Sequence, residues 1–282
     1  RRTARDGLQP PVDATCAAPA VEPRCVDDDD ISCCEPAPDA DHVYVTHLGG
    51  GEVSFFTSEA SRVVLRDIRG GFFTPSSGDA SATAMAAYRP GDPEGPIYVS
   101  SRVDNRVAAF VIENNQRIIR DNYVFVGTVS PGNDARGLAF GPKRERMYVV
   151  NRRPPVLLAM DMRLEDGVPR EEPVWAVEVC AEPSVLALGA DPLSSDPDAR
   201  LAYVVCFGAS QIYVVDTEMG ILRGQITTGS GPNALQLDPA RKRAYVANFL
   251  DNTVGVIDLD PGSASYRRMV LRIGLEENLV RN

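Results

Sequence analysis

No apolar run in these 282 residues approaches the ~20 that a membrane-spanning helix needs. Histidine is nearly absent, with His42 and His47 the only two. They lie five apart around one short strand, so they do not present a chelating pair on one face. A haem would have only these two as axial candidates. There is no Cys-x-x-Cys with a nearby His pair, so no zinc site is indicated, and no metal or other cofactor is expected. No Gly-x-Ser-x-Gly elbow appears, which leaves a Ser–His–Asp triad without support. Basic residues are outnumbered, 29 Lys and Arg against 39 Asp and Glu, giving a formal charge of −10 and a pI near 4.8. That balance argues against nucleic acid and anionic membrane as main partners. No signal peptide is seen, but the chain opens at Arg1-Arg2 without an initiator Met. It reads as a processed or trimmed segment, so the missing signal carries no weight.

What is present is a repeating strand grammar. Ala234 to Leu237 is a short apolar run ended by the turn signal Asp238-Pro239. A second run centres on Tyr245-Val246, and Asp251-Asn252 makes the next turn. Thr253 to Ile257 is a β-branched third run, and Arg267 to Ile273 alternates as a half-exposed outer strand should. The Tyr-Val pair recurs at Tyr44-Val45, Tyr98-Val99, Tyr148-Val149 and Tyr203-Val204, at intervals of 42 to 55 residues. A run precedes the later pairs (Ala84 to Tyr88, Gly137 to Phe140, Val185 to Leu188), and another follows each.

Repeated four-strand units of this length are the signature of an all-β fold, a β-propeller of four-stranded blades. One such sheet cannot bury both faces, whereas radial stacking covers face with face and protects the edges. Five blades are expected within residues 42–274, at about 42–68, 82–126, 135–179, 183–226 and 232–273, followed by a tail over 275–282. Either five close on themselves or further blades precede Arg1. The abrupt start and the missing inner strand of the first unit favour a seven-bladed parent.

The units resemble the YVTN family of bacterial and archaeal propellers, whose repeat centres on Tyr-Val-x-Asn followed by Val-x-Val-Ile-Asp. The resemblance rests on Tyr245-Val246-Ala247-Asn248 with Val254-Gly255-Val256-Ile257-Asp258, and on Tyr148-Val149-Val150-Asn151. It weakens at Tyr44-Val45-Thr46-His47, Tyr98-Val99-Ser100-Ser101 and Tyr203-Val204-Val205-Cys206. The resemblance implies fold more than function, because such propellers serve as enzymes, cofactor carriers and binding platforms.

Residues 1–41 are rich in Pro, Ala and Asp and carry Cys16, Cys25, Cys33 and Cys34 with the acidic run Asp27 to Asp30. Four Cys in a strand-poor segment suggest disulfide staples and an oxidising compartment. Three pairings are open, and the one needing a vicinal Cys33–Cys34 bond is strained. The acidic run lacks the alternating ligand spacing of a calcium loop and reads as a solvated loop.

The inner strand and its Tyr-Val partner are antiparallel, so the start of one lies beside the end of the other, at the mouth of the propeller. Second strands end at His47, Ser101, Asn151, Cys206 and Asn248; inner strands start at Thr83, Arg136, Ser184 and Asn233. Arg102, Arg152 and Arg153 sit beside this ring. These are the candidate ligand contacts, since loops on a rigid scaffold carry function. The plainer alternative is that the Asn residues bond backbone and hold turns. Cys180 stands three residues before Pro183 as Gly229 stands before Pro232, and Cys206 takes the place of Asn248. A Cys180–Cys206 disulfide at the rim is expected if the Cα atoms lie within ~7 Å; two buried thiols are the other outcome. Lys143, Arg144, Arg146, Arg241, Lys242 and Arg243 form basic turns at the opposite rim, and Asp161, Asp216 and Asp258 end third strands as turn makers.

Among propellers resembling this one are lactonases with a central metal, which need a carboxylate at the channel. The nine ring positions offer none, and Asp134 is the nearest, out of register. Quinone-dependent propellers carry repeated Trp docking motifs, where this chain has only Trp175. The expectation is therefore an exported or cell-envelope bacterial propeller that acts as a non-catalytic binding or scaffold module. Its partner would be a protein, peptide or small anionic ligand at the mouth. The alternative is a propeller enzyme, lactonase-like or quinone-dependent, with key residues in blades absent from this segment.

Overall fold

The computed structural model describes residues 41–46, 53–59, 62–69, 82–87, 97–101, 106–113, 116–125 and 133–274, the last without 144, 166, 167 and 171. Cys16, Cys25, Cys33, Cys34, His47, Arg102 and Arg144 lie outside them. Among the described residues the fold is all-β, with no helix long and apolar enough to cross a membrane. The first sheet has three strands in sequence order, β1 (Asp41–Thr46), β2 (Val53–Glu59) and β3 (Arg62–Arg69). The second has four: β4 (Ala82–Ala87), β5 (Ile97–Ser101), β6 (Arg106–Glu113) and β7 (Gln116–Phe125).

The third sheet uses β8 (Asn133–Phe140), β9 (Arg146–Arg153), β10 (Pro155–Asp161) and β13 (Glu172–Glu178), with a small hairpin of β11 (Leu164–Glu165) and β12 (Val168–Pro169) before its outer strand. The fourth is β14 (Pro183–Ala190), β15 (Arg200–Cys206), β16 (Gln211–Asp216) and β17 (Ile221–Thr227). The fifth is β18 (Pro232–Asp238), β19 (Arg243–Asn248), β20 (Thr253–Asp258) and β21 (Arg268–Ile273). The chain divides into two compact units, one carrying β1 to β3 and the other carrying β8 to β21 with Thr83–Ala86 and Val99–Val107.

Within the second unit the strand period of two decides the packing. On β15, Ala202, Val204 and Cys206 face the third sheet and pack with Tyr148, Val150, Leu157 and Ala159. Leu201, Tyr203 and Val205 face the fifth sheet and pack with Ala244, Val246 and Ile257. From Leu201 onward β15 is therefore buried on both faces, and its sequence is a continuous apolar run. Close approach of β8 to β14 needs a glycine, since a Cβ at Gly137 would lie 2.8 Å from the Leu186 nitrogen. This stack of four-stranded antiparallel sheets, each in meander order, is a β-propeller architecture.

Candidate functional site

The strand pairings superimpose the rims of the last three sheets residue by residue. Ala135 pairs Asn151 in the third sheet, Pro183 pairs Cys206 in the fourth, and Pro232 pairs Asn248 in the fifth. Each inner strand then bulges, so Arg136, Ser184 and Asn233 share the next position.

The fifth sheet closes this corner with hydrogen bonds. Asn248 is buried; its Oδ1 accepts the Gly229 N–H at 3.1 Å, and its Nδ2 donates to Thr253 Oγ1 at 3.1 Å. The Ser230 N–H donates to Asp251 Oδ2 at 2.7 Å. That N–H and the Ser230 hydroxyl hold the Asp251 carboxyl below its ordinary value. Glycine at 229 lets the buried amide close in, since a Cβ there would lie 2.6 Å from Asn248 Cγ.

The fourth sheet closes the same corner with a covalent bond. Cys180 and Cys206 form a disulfide, both buried, with Cα atoms 5.8 Å apart. They occupy the positions of Gly229 and Asn248. The sequence expectation for this pair is met.

The third sheet puts charge there. Asn151 is buried and its Nδ2 donates to the Pro154 carbonyl at 3.1 Å, so this Asn holds a turn. Arg136 contacts Asp134 Oδ1 at 2.5 Å through Nε and Oδ2 at 3.1 Å through Nη2. Arg152 reaches Asp134 Oδ2 at 3.8 Å and donates to Glu182 Oε2 at 2.8 Å, bridging the third and fourth sheets. The Ser100 hydroxyl, at the end of β5, donates to the Arg136 carbonyl at 2.8 Å. Both guanidinium side chains are mostly buried, at 15% and 18% exposure.

Of two acids at this rim, Asp134 reads from the sequence as out of register with the ring, and Glu182 was not found by reading runs and turns. Asp134 and Glu182 directly precede Ala135 and Pro183, as Gly231 precedes Pro232. All three share a left-handed backbone, with φ of 71°, 54° and 62°. The nine ring positions hold no carboxylate, and both acids stand just outside them, two residues before Arg136 and Ser184. The signal was the alignment of Asp-Ala-Arg and Glu-Pro-Ser with Gly-Pro-Asn, in which an acid replaces glycine.

Of the other expected contacts, Asn233 is exposed and Ser184 is half-buried, its hydroxyl donating to the Val205 carbonyl at 3.3 Å. Thr83 and Ser101 lie on β4 and β5, the inner and second strands of the second sheet.

At the opposite rim the basic turns are internally paired. Lys143 meets Asp198 at 3.0 Å, Arg146 meets Glu218 at 3.3 Å, Arg241 meets Asp238 at 2.8 Å, Lys242 meets Asp260 at 3.2 Å, and Arg243 meets Asp258. The strand-ending aspartates are turn makers held by their own loops. Bonds from the Arg163 side chain lower Asp161 to about 2. For Asp216, burial pushes the carboxyl up but is outweighed by the Met219 and Glu218 N–H groups and the Arg223 guanidinium. The Ser263 and Ser265 hydroxyls hold Asp258 well below the carboxylate range. A cleft here is lined by Asp191, Arg200, Asp216, Arg223 and Arg267. Its Arg223 is spent on Asp216 at 2.7 Å, and Arg200 bonds the Pro197 and Ala199 carbonyls. No group of three metal-ligating side chains occurs among the described residues.

No family model matches the chain, and no curated protein matches it. Solved structures do. A protein assigned as a 6-phosphogluconolactonase from Bacteroides uniformis superposes with a TM-score of 0.62 at 17% identity, over 84% of this chain and 69% of that one. The periplasmic gluconolactonase of Pseudomonas aeruginosa gives 0.60 at 16% identity, over 84% and 68%. The hydrazine synthase of Kuenenia stuttgartiensis gives 0.52 at 18% identity over 73% of this chain, which spans about half (53%) of that one. At these identities the likeness is one of fold, and it agrees with the sheet topology: the chain is an all-β propeller of four-stranded blades.

Proposed function

We propose that this propeller is an extracytoplasmic hydrolase of the lactonase type, acting on a small hydroxylated lactone at the rim of the third and fourth sheets. One observation carries the reading: Asp134, Arg136, Arg152 and Glu182 form one connected charged set where β8 and β14 begin. Lactone hydrolysis needs a group to take a proton from water and fixed positive charge for the oxyanion that forms. Two guanidinium groups and two carboxylates supply that chemistry. The fold likeness to two gluconolactonase-type proteins supports the reaction class. The Cys180–Cys206 bond supports an oxidising compartment. The Tyr-Val-x-Asn units support placement with the YVTN-type repeat propellers.

The test is acid release from glucono-1,5-lactone and its 6-phosphate in a pH-stat, against the spontaneous rate. Turnover is expected, and Arg152→Met lowers kcat/KM by ~100-fold, the scale for losing one oxyanion donor. Absence of acid release from either lactone overturns the proposal. A second reading, a binding module without turnover, is favoured by the pairing of both carboxylates with arginine. It would appear as calorimetric binding of gluconate or 6-phosphogluconate with no hydrolysis, weakened by the same substitution.

A further inference from the structure

We infer that Glu182 is the catalytic base of this rim, an assignment that rests on the lactonase reading above. Four features of the fourth sheet converge on its side chain.

The backbone comes first. Glu182 holds φ at 54° in a slot that the fifth sheet gives to Gly231. An L-residue is strained there where glycine is not. Space comes second. A Cβ on Gly208 would lie 3.0 Å from Glu182 Cγ. In the fifth sheet the arrangement is reversed, since a Cβ on Gly231 would lie 2.6 Å from Leu250 Cγ. Gly208 and Leu250 are equivalent, each two residues past the rim-paired Cys206 and Asn248. The fourth sheet has thus emptied the turn after β15 to seat an acid just before β14.

The third feature is the clamp. The disulfide at Cys180 stands two residues before Glu182, buried Pro183 follows it, and its own carbonyl accepts the Phe207 N–H at 3.0 Å. The fourth is how the two carboxylates are engaged. Asp134 is 12% exposed and meets arginine through both oxygens, so it positions Arg136 and Arg152. Glu182 is 52% exposed and is held through Oε2 by Arg152. Its Oε1 has no partner among the described residues. One oxygen oriented and one open is the geometry of a base that meets a water molecule.

The step balances as follows. Glu182 takes one proton from a water whose oxygen bonds to the lactone carbonyl carbon. Arg152 faces the resulting oxyanion. The bond from that carbon to the ring oxygen then breaks, and Glu182 returns the proton to the departing ring oxygen, giving the open hydroxy acid.

The experiment compares the whole chain with Glu182→Gln and Glu182→Asp on glucono-1,5-lactone across pH. In Glu182→Gln, kcat falls by ~100-fold or more, the scale of general-base catalysis, while KM stays within about threefold. The acidic limb of the pH–rate profile disappears, and Glu182→Asp restores part of kcat with that limb. A thermal midpoint close to the wild-type value shows that the rim is intact. Wild-type turnover with Glu182→Gln within about fivefold of it, or with its acidic limb retained, overturns this assignment alone. A wild type that releases no acid overturns the lactonase reading and this assignment together.

Discussion

The fourth and fifth sheets share one register and fill it differently. Both pair a Tyr-Val strand with an inner strand that bulges after a proline, Pro183 or Pro232. In the fourth sheet that strand is buried on both faces from Leu201 to Cys206; in the fifth, burial alternates along Arg243–Asn248. The fourth latches its rim with a disulfide and seats an acid beside it. The fifth latches with an amide and leaves glycine beside it. The repeat therefore specifies where backbone goes, and each blade is free to choose what its rim displays. Rim chemistry, not strand pattern, is where this chain departs from a plain repeat.

The largest expected difference concerns the two faces. Ile212 and Val254 are equivalent positions at the start of the third strands, pairing with Val205 and Ala247. Ile212 is 1% exposed and Val254 38%. Ile212→Ala should cost about 2–5 kcal/mol, because it leaves a cavity between two sheets. Val254→Ala should cost well under ~1 kcal/mol, as for a substitution at an open face. Urea midpoints of the two variants measure this. Equal losses would mean that the two faces are equally covered in solution.

The latches come next. Cys180→Ser with Cys206→Ser removes a cross-link of sequence separation 26 and should cost about 2–4 kcal/mol. Asn248→Ala should cost about 1–3 kcal/mol, since it strands the buried Gly229 N–H and the Thr253 hydroxyl. Cys180→Gly with Cys206→Asn asks whether the fifth sheet's latch works in the fourth. Recovery of about 1 kcal/mol over the serine pair, read by denaturant titration, would show the two devices to be interchangeable.

The fold was legible because its signals are local. Tyr148-Val149 and Tyr203-Val204 lie on strands whose side chains are buried on both faces, so they stand out as apolar pairs between turn residues. The disulfide was legible by alignment alone, since Cys180 and Cys206 fall on Gly229 and Asn248. The three-residue step from Gly229 to Pro232 also hid something. The residue before the proline carries a left-handed φ, and a dihedral is visible in sequence only when glycine occupies it. Gly231 fills the slot without a side chain; in the same slot Asp134 read as an acid out of register with the ring, and Glu182 was not singled out. The Arg152 bridge to Glu182 was hidden for another reason. It joins residues 30 apart on different sheets, and nothing periodic links them.

That slot yields the smallest and most specific test of the comparison. Gly231→Glu in the fifth sheet puts an L-residue at φ 62° and drives its Cβ toward Leu250 Cγ. The cost should be about 1–3 kcal/mol, combining backbone strain with overpacking. Leu250 is 54% exposed, so Leu250→Gly alone should cost little through packing, about 1 kcal/mol or less from backbone entropy. If the fourth sheet seats Glu182 because Gly208 clears the space, the double variant should be more stable than the two single losses imply. A favourable coupling of about 1 kcal/mol is the expected size for neighbouring residues in a double-mutant cycle. Additive losses would show that the glycine at 208 answers to its turn and not to the glutamate. The acid at 182 would then be tolerated by the rim, without being built into it.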